Sequence, residues 1–305
     1  MEVARYLSRA DDLPPGFSRN SLPRRAAETT VLLVDPQYFC VDYIINPHMA
    51  DARGRPNVVD RQRAREQWQA LRKSYESLGL RVLVAPAVPG LPDMVFCANQ
   101  TFPFVDSEGR PAVVPSKMAS PQRAPEVEPL IRFLAAKGYP AAPMDFEPED
   151  CLEGTGDLLW MPGRRLLLGG FGFRTAPGVL KRLARSLAVP VASFRLEDPD
   201  FYHLDTALVP LTESRALWFP GAFTTSGQAL VRALFDQLLE APEPEARRAF
   251  ATNAHCPDGR TVLIEAEARA TRALLEAEGF RVVPLETSEF RKSGGSVFCL
   301  KLALP

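Results

Sequence analysis

Apolar positions recur with helical spacing along 60–78, 126–137, 178–188 and 265–278, and each time the pattern stops abruptly. Gly79, Gly138 and Gly279 follow three of these stretches, and glycine is the residue a helix C-cap favours. The third stretch ends at Ala188, where no glycine marks the cap. A short strand-like run follows every cap: "LRVLVAP", "YPAAPMDF", "VPVASFRL" and "FRVVPLE". A weaker unit of the same kind begins at "LVRALFDQLLE" and includes Asn253 and "TVLIEA". The repeated order is helix, cap, strand, loop and further strands, which places the chain in the α/β class.

The first polar chemistry after each strand falls at a similar distance from its cap: Asp93, Glu153 and His203, with Cys299 somewhat farther on. Because these residues differ while their spacing repeats, the pattern predicts a closed ring rather than a solenoid. Each unit would then offer one polar loop to a common axis, so that the four residues meet in space. A rigid scaffold presenting loops is what a catalytic site needs.

Composition limits the kinds of ligand. The chain has 305 residues, 46% of them hydrophobic, enough for a sizeable core, and 24% charged. Its net charge of -1 provides no basic field for nucleic acid or an anionic membrane. Arg61, Arg63 and Arg65 read as one solvated helix face. No apolar run is long enough to span a membrane, and the first twenty residues contain no apolar core of a secretory signal. Residues 1–28 are expected to be a polar N-terminal arm, with 29–305 forming a single domain. The five cysteines, Cys40, Cys97, Cys151, Cys256 and Cys299, are dispersed without a C-x-x-C pair. That pattern suggests neither a disulfide framework nor a zinc knuckle, and fits a reducing cytoplasm.

The candidate chemistry lies in a few short segments. In "FYHLDTALVPL", His203 and Asp205 would point to the same face of an extended strand. His203 is the candidate general acid/base, since an imidazole titrates near neutral pH. His48 and His255 read as ordinary loop residues. In "CLEGTGDLLW", Glu153 precedes a Gly-Thr-Gly turn whose glycines would let backbone approach a ligand. In "LPDMVFCANQTF", Asp93 and Asn99 would share one face of a strand. Cys299, after a Gly-Gly-Ser run, reads either as core packing or as a nucleophile. An electrophile with positive charge would lower its thiol pKa on binding. A guanidinium fits the surrounding carboxylates, which it pairs in bidentate fashion.

The segments "PDMVFCANQ", "LEGTGD", "GFGFRT", "FYHLDT", "LWFPGAF" and "GGSVFC", with "YFCVDYIINPHM" upstream, resemble the guanidino-group-modifying enzymes, or penteins. This superfamily includes arginine deiminases, dimethylarginine dimethylaminohydrolases, arginine dihydrolases and amidinotransferases. The resemblance implies a five-fold pseudosymmetric α/β propeller and a small guanidino substrate, with no cofactor and no metal. It implies Cys299 as nucleophile, His203 as general acid/base and Glu153 as the carboxylate that supports both His203 and the guanidinium. Asp93 and Asp205 match further guanidinium-binding or loop-anchoring carboxylates, Arg174 a partner of the substrate carboxylate, and Asn46 a pocket residue. Asn99 stands where several members have an aspartate, and dihydrolases are similar in carrying asparagine there. The reading is therefore a hydrolase forming a covalent cysteine thiouronium, with an arginine dihydrolase first. Dimethylarginine hydrolase, deiminase, amidinotransferase and a non-catalytic ligand-binding ring are the alternatives. Homo-oligomerisation is left open.

Overall fold

The structure, a computed structural model, describes residues 6–305. Its first elements are strands β1 (Tyr6–Leu7) and β2 (Thr30–Val34), helix α1 (Arg61–Ser77) and strand β3 (Arg81–Ala85). Next come β4 (Thr101–Val105), β5 (Pro111–Pro115), α2 (Val127–Ala135), the single turn α3 (Gly154–Asp157) and β6 (Leu158–Trp160). The middle continues with β7 (Leu167–Phe171), α4 (Pro177–Ser186), β8 (Val191–Arg195), β9 (Leu208–Pro210) and β10 (Arg215–Trp218). The last third holds α5 (Thr225–Leu234), β11 (Gln237–Glu240), α6 (Glu243–Arg248) and β12 (Thr261–Glu265). It ends with α7 (Arg269–Ala277), β13 (Arg281–Leu285), α8 (Ser288–Arg291) and β14 (Leu302–Leu304).

Among the described residues these strands form five small sheets built on one plan. A short strand pairs antiparallel with a second, and a helix then crosses over to a third that runs parallel to the second. The pattern appears as β6, β7, α4 and β8, and again as β9, β10, α5 and β11. The chain's end supplies the short strand of the first sheet, because β14 pairs antiparallel with β2, which runs parallel to β3 beyond α1. Two sheets reduce one partner to a single bridge. Ala141 pairs with Val113 of β5, and His255 pairs with Leu263 of β12. Pro140 and Pro143 flank the first of these bridges, and proline supplies no ladder N–H. The expected strand "YPAAPMDF" therefore does not form beyond that bridge.

The crossover helices bury one apolar face each. In α4, Val179, Leu180 and Leu183 are fully buried and pack with Val191 of β8 in one cluster. Each such side chain removed from water is worth about 2 kcal/mol. The caps repeat as expected: Gly79, Gly138 and Gly279 adopt positive φ, and Ala188 takes the same left-handed turn at φ 47° without glycine's freedom. Several boundaries differ from the sequence reading. Residues 230–240 are not one helix, because α5 stops at Leu234 and the rest becomes β11. Glu265 belongs to β12 and not to α7. The segment expected to be a polar arm contributes β1, paired parallel with β8, and buries Leu7 and Leu22. Its apolar residues are too sparse to show a period, which is why the sequence hides them. No helix is long and apolar enough to cross a membrane among the described residues.

Candidate active site

The expected site residues sit on the segments that lead into the short antiparallel strands. Asp93 and Asn99 precede β4, Glu153 precedes β6, and His203 and Asp205 precede β9. Asn253 precedes the His255 bridge, and Cys299 precedes β14. One plan repeated five times thus delivers one polar segment per sheet. Only the local conformation differs from expectation. Asp93 lies in a 3-10 turn, Pro92–Val95, and His203 caps another, Leu204–Thr206, so neither pair shares the face of a strand.

Cys299 is buried, and its Sγ lies 3.2 Å from Asp205 Oδ2. The amide of Asn253 donates to the same sulfur at 3.2 Å, while its Oδ1 accepts the backbone N–H groups of Ser296 and Cys299. One carboxamide therefore holds the turn that presents the thiol. Burial, and then the charge and hydrogen bond of Asp205, push the thiol well above its ordinary pKa. Burial also pushes Asp205 up to about 7, against the hydrogen bond from Cys299. Asp205 Oδ1 has no hydrogen-bond partner.

His203 Nε2 lies 2.8 Å from Glu153 Oε2. The other oxygen of Glu153 accepts from the backbone of Ala119 at 3.1 Å and from Arg174 Nη1 at 3.4 Å. Burial favours the neutral acid, but the hydrogen bond and charge of His203 outweigh it, with Arg174 and Arg123 adding to them. Glu153 is held at about 2. The turn after Glu153 is not a glycine hinge against a ligand. Gly154, at φ 47°, presses on the backbone of the neighbouring segment, where a Cβ would meet the carbonyls of Thr101 and Ala98 at 2.5 and 2.7 Å. Only glycine fits there. Asp157, at the end of that turn, accepts from Leu204 N at 3.0 Å, and burial raises it to about 6.

Asp93 is engaged by two hydroxyls, Tyr43 at 2.8 Å and Ser293 at 2.9 Å, and burial raises its pKa. Asn46 donates to Ser293 O at 3.1 Å. Arg174 also donates to Ile45 O at 2.6 Å and lies over the Tyr202 ring. A small pocket of about 10 Å³ is lined by Cys299, Asp93, Asn99, Arg174 and Asn46 among others. Glu153 and Asp205 are bonded to lining residues, Arg174 and Cys299, and His203 packs its ring on Tyr202 of the lining; none of the three stands on it.

Several residues of this network, Tyr43, Ser293, Asn253 and Arg123 among them, carry no signal of a role in the sequence. Asn253 lies in the weakest repeat, and Arg123 stands in "SPQRAPEVE" with no periodic pattern around it. It is buried, bonded to Glu126 and to the carbonyls of Asp93 and Phe96, and it donates to Asn99 Oδ1 at 2.8 Å. Arginine only donates, so it fixes the amide orientation of Asn99 and leaves Nδ2 buried and unpartnered. His255, expected in a loop, is buried and bonded to Tyr75 OH at 3.0 Å. Among the described residues no group of three or more His, Cys, Asp or Glu side chains is placed to hold a metal ion.

The chain is similar to known proteins. A sequence model of the family described as N,N dimethylarginine dimethylhydrolase, eukaryotic, matches residues 35–304. The N(G),N(G)-dimethylarginine dimethylaminohydrolase of Mycobacterium tuberculosis is 37% identical, covering 89% of this chain and 84% of that protein. The bifunctional arginine dihydrolase/ornithine cyclodeaminase AgrE of Nostoc sp. is 34% identical over 89% of this chain, which spans 37% of AgrE. The crystal structure of the N-terminal domain of ArgZ bound to product, an arginine dihydrolase from cyanobacteria, matches with a TM-score of 0.82 and 30% identity. That match covers 91% of this chain and 98% of the domain. A dimethylarginine dimethylaminohydrolase adduct, at a TM-score of 0.74 and 22% identity, shares the fold. The protein is a hydrolase of guanidino carbon–nitrogen bonds, and the chain belongs to the dimethylarginine dimethylhydrolase family.

Proposed function

We propose that this protein is an arginine dihydrolase, converting the guanidino group of arginine into two ammonia molecules and carbon dioxide and leaving ornithine. The observation that carries this reading is the unpartnered Nδ2 of Asn99, on a side chain that lines the pocket with Cys299 and turns this nitrogen toward Gly156. A guanidinium offers only N–H donors and has no use for another donor, whereas a ureido group has a carbonyl oxygen that accepts one. The site therefore has a partner for the first product that the substrate itself does not need. Retention of that product allows a second hydrolysis.

The roles follow from the contacts. Asp205, with one free oxygen, and Asp93 receive the guanidinium, whose positive charge offsets the penalty on a buried thiolate. Cys299 loses its proton to solvent as the cation binds, and its sulfur attacks the guanidino carbon. His203, held by Glu153, gives a proton to the departing nitrogen, which leaves as ammonia. A water deprotonated by His203 attacks the resulting thiouronium and expels the thiolate, forming the ureido product. In the second cycle the same sulfur attacks the ureido carbon and a second ammonia leaves. Water then releases a carbamate, which loses carbon dioxide to give the amine. Arg174, on the pocket lining, receives the substrate carboxylate. The five sheets of one plan, each sending a polar segment to the same pocket, support closure into a five-fold α/β propeller. They support a single catalytic unit, which includes the segment that carries β1, Leu7 and Leu22.

Dimethylarginine hydrolysis is the second reading, favoured by the family match and by the mycobacterial relative. A panel of arginine, citrulline and dimethylarginine, with ammonia and amino-acid products measured separately, distinguishes the two. Ornithine from arginine supports the dihydrolase. Turnover of dimethylarginine alone overturns it while leaving the chemistry of Cys299 intact.

A further inference from the structure

The short strands that carry the site at one end line a second, larger cavity of about 350 Å³ farther along. Each of the five sheets contributes to its wall: Pro103 from β4, Trp160 from β6, Val209 from β9, Cys256 beside the His255 bridge, and Ala303 from β14. Most of this wall is apolar. Lys301 stands on it, just before β14, and is only 2% exposed. Among the described residues its ammonium makes no ion pair and donates no hydrogen bond. Its one close partner is the Phe298 ring, 3.3 Å away.

A buried ammonium without an acceptor is costly, because its charge loses water and gains nothing equivalent. The acids that share the cavity are already engaged. Glu28 pairs with Arg25, Glu213 pairs with Arg164, and Asp258 accepts from the backbone of Arg260 and Thr261. Arg24, at the cavity and 74% exposed, makes only a 3.5 Å contact with Glu213. We propose that this cavity binds a small organic carboxylate, its anionic head on Lys301 and its apolar body against Trp160, Val209 and Phe298. The site is separate from the pocket of Cys299 and does not rest on which guanidino compound is the substrate. Burial holds Lys301 down at about 8 against the opposing charges of Glu28, Asp205, Cys97 and Cys299, none of which bonds to it, so a bound anion would raise it further, and affinity would fall as pH rises past that value.

The probe is 4-methylbenzoate, titrated calorimetrically into the full chain before and after Cys299 is blocked with a haloacetamidine. The expected result is one saturable site in both preparations, weakened about tenfold or more in Lys301→Met, as loss of a charged hydrogen bond predicts. Lys301→Arg should restore most of the affinity. If Lys301→Met does not fold, Ala27→Trp, a change at an exposed position of the cavity lining, should weaken binding by a similar factor. No saturable heat up to about 10 mM probe overturns the proposal. So does binding that disappears when Cys299 is blocked, or affinity unchanged in both Lys301→Met and Ala27→Trp.

Discussion

Cys97 and Cys299 are both buried thiols, yet their sulfurs face different surroundings. Cys97 Sγ lies 3.4 Å from the carbonyl oxygens of Leu32 and Leu300, within an apolar cluster of Met94, Val113 and Leu130. Cys299 Sγ meets the carboxylate of Asp205 and the amide of Asn253, and lines a pocket with two arginines. Burial raises both pKa values, Cys97 to about 12. Thiol acidity in the free protein therefore does not separate the reactive cysteine from the inert one. What separates them is whether an arriving cation can offset the burial. Cys299 has a place for one on its pocket, whereas the sulfur of Cys97 is held against two backbone carbonyls in the apolar cluster, where the charge of Lys301 already acts on it without overcoming burial.

The largest expected effect breaks the comparison at its centre. Cys299→Ser should abolish steady-state turnover with the circular dichroism spectrum unchanged. Cys97→Ala should keep near-normal kcat and lose about 1–2 kcal/mol of stability, read from denaturant unfolding. Equal activity loss in both variants would remove the distinction between them.

Asn253→Asp sharpens it. The substitution keeps an oxygen for the N–H groups of Ser296 and Cys299 but sets a carboxylate beside the sulfur in place of a donor. Alkylation of Cys299 by a haloacetamidine should slow by about tenfold or more, as expected for a thiolate facing a new like charge. Alkylation of partly exposed Cys40 should not change.

A smaller effect comes from pH. Asp205 titrates at about 7 in the folded protein against an ordinary 3.8, so its proton stabilises the fold at low pH. That contribution is lost as pH rises through 7. Asp205→Asn removes the loss. The Tm of the variant relative to wild type should be higher at about pH 8.5 than at about pH 5. The reverse order would mean that Asp205 is ionised and well paired throughout.

The smallest effect lies away from both thiols, at the helix caps. Ala188 adopts the left-handed turn that glycine fills at the three equivalent positions. Ala188→Gly should therefore stabilise the protein by about 1 kcal/mol, measured by chemical denaturation with activity unchanged.

Those caps show how much the sequence reveals. Gly79, Gly138 and Gly279 end amphipathic helices, and the repeat they mark singles out Asp93, Glu153, His203 and Cys299 as the first polar residues after each strand. The sequence was less informative where no period exists. His203 and Asp93 lie in or beside 3-10 turns, whose side chains follow neither strand nor helix spacing. Arg123 sits among Ser, Pro and Gln in what reads as a solvated loop, and only the fold reveals Glu126 and Asn99 against it. The cavity at Lys301 is equally hidden, since its wall takes a few residues from each of five distant strands.

Whether Asn99 donates to a retained ureido product is tested most directly by the products of arginine in wild type and in Asn99→Asp, followed by amino-acid and ammonia analysis. Wild type should yield ornithine with two ammonia molecules for each arginine consumed and little free citrulline. Asn99→Asp, which replaces the free donor by an acceptor suited to guanidinium, should shift the product towards citrulline with one ammonia. Citrulline as the main wild-type product, or an unchanged product ratio in the variant, would contradict the account.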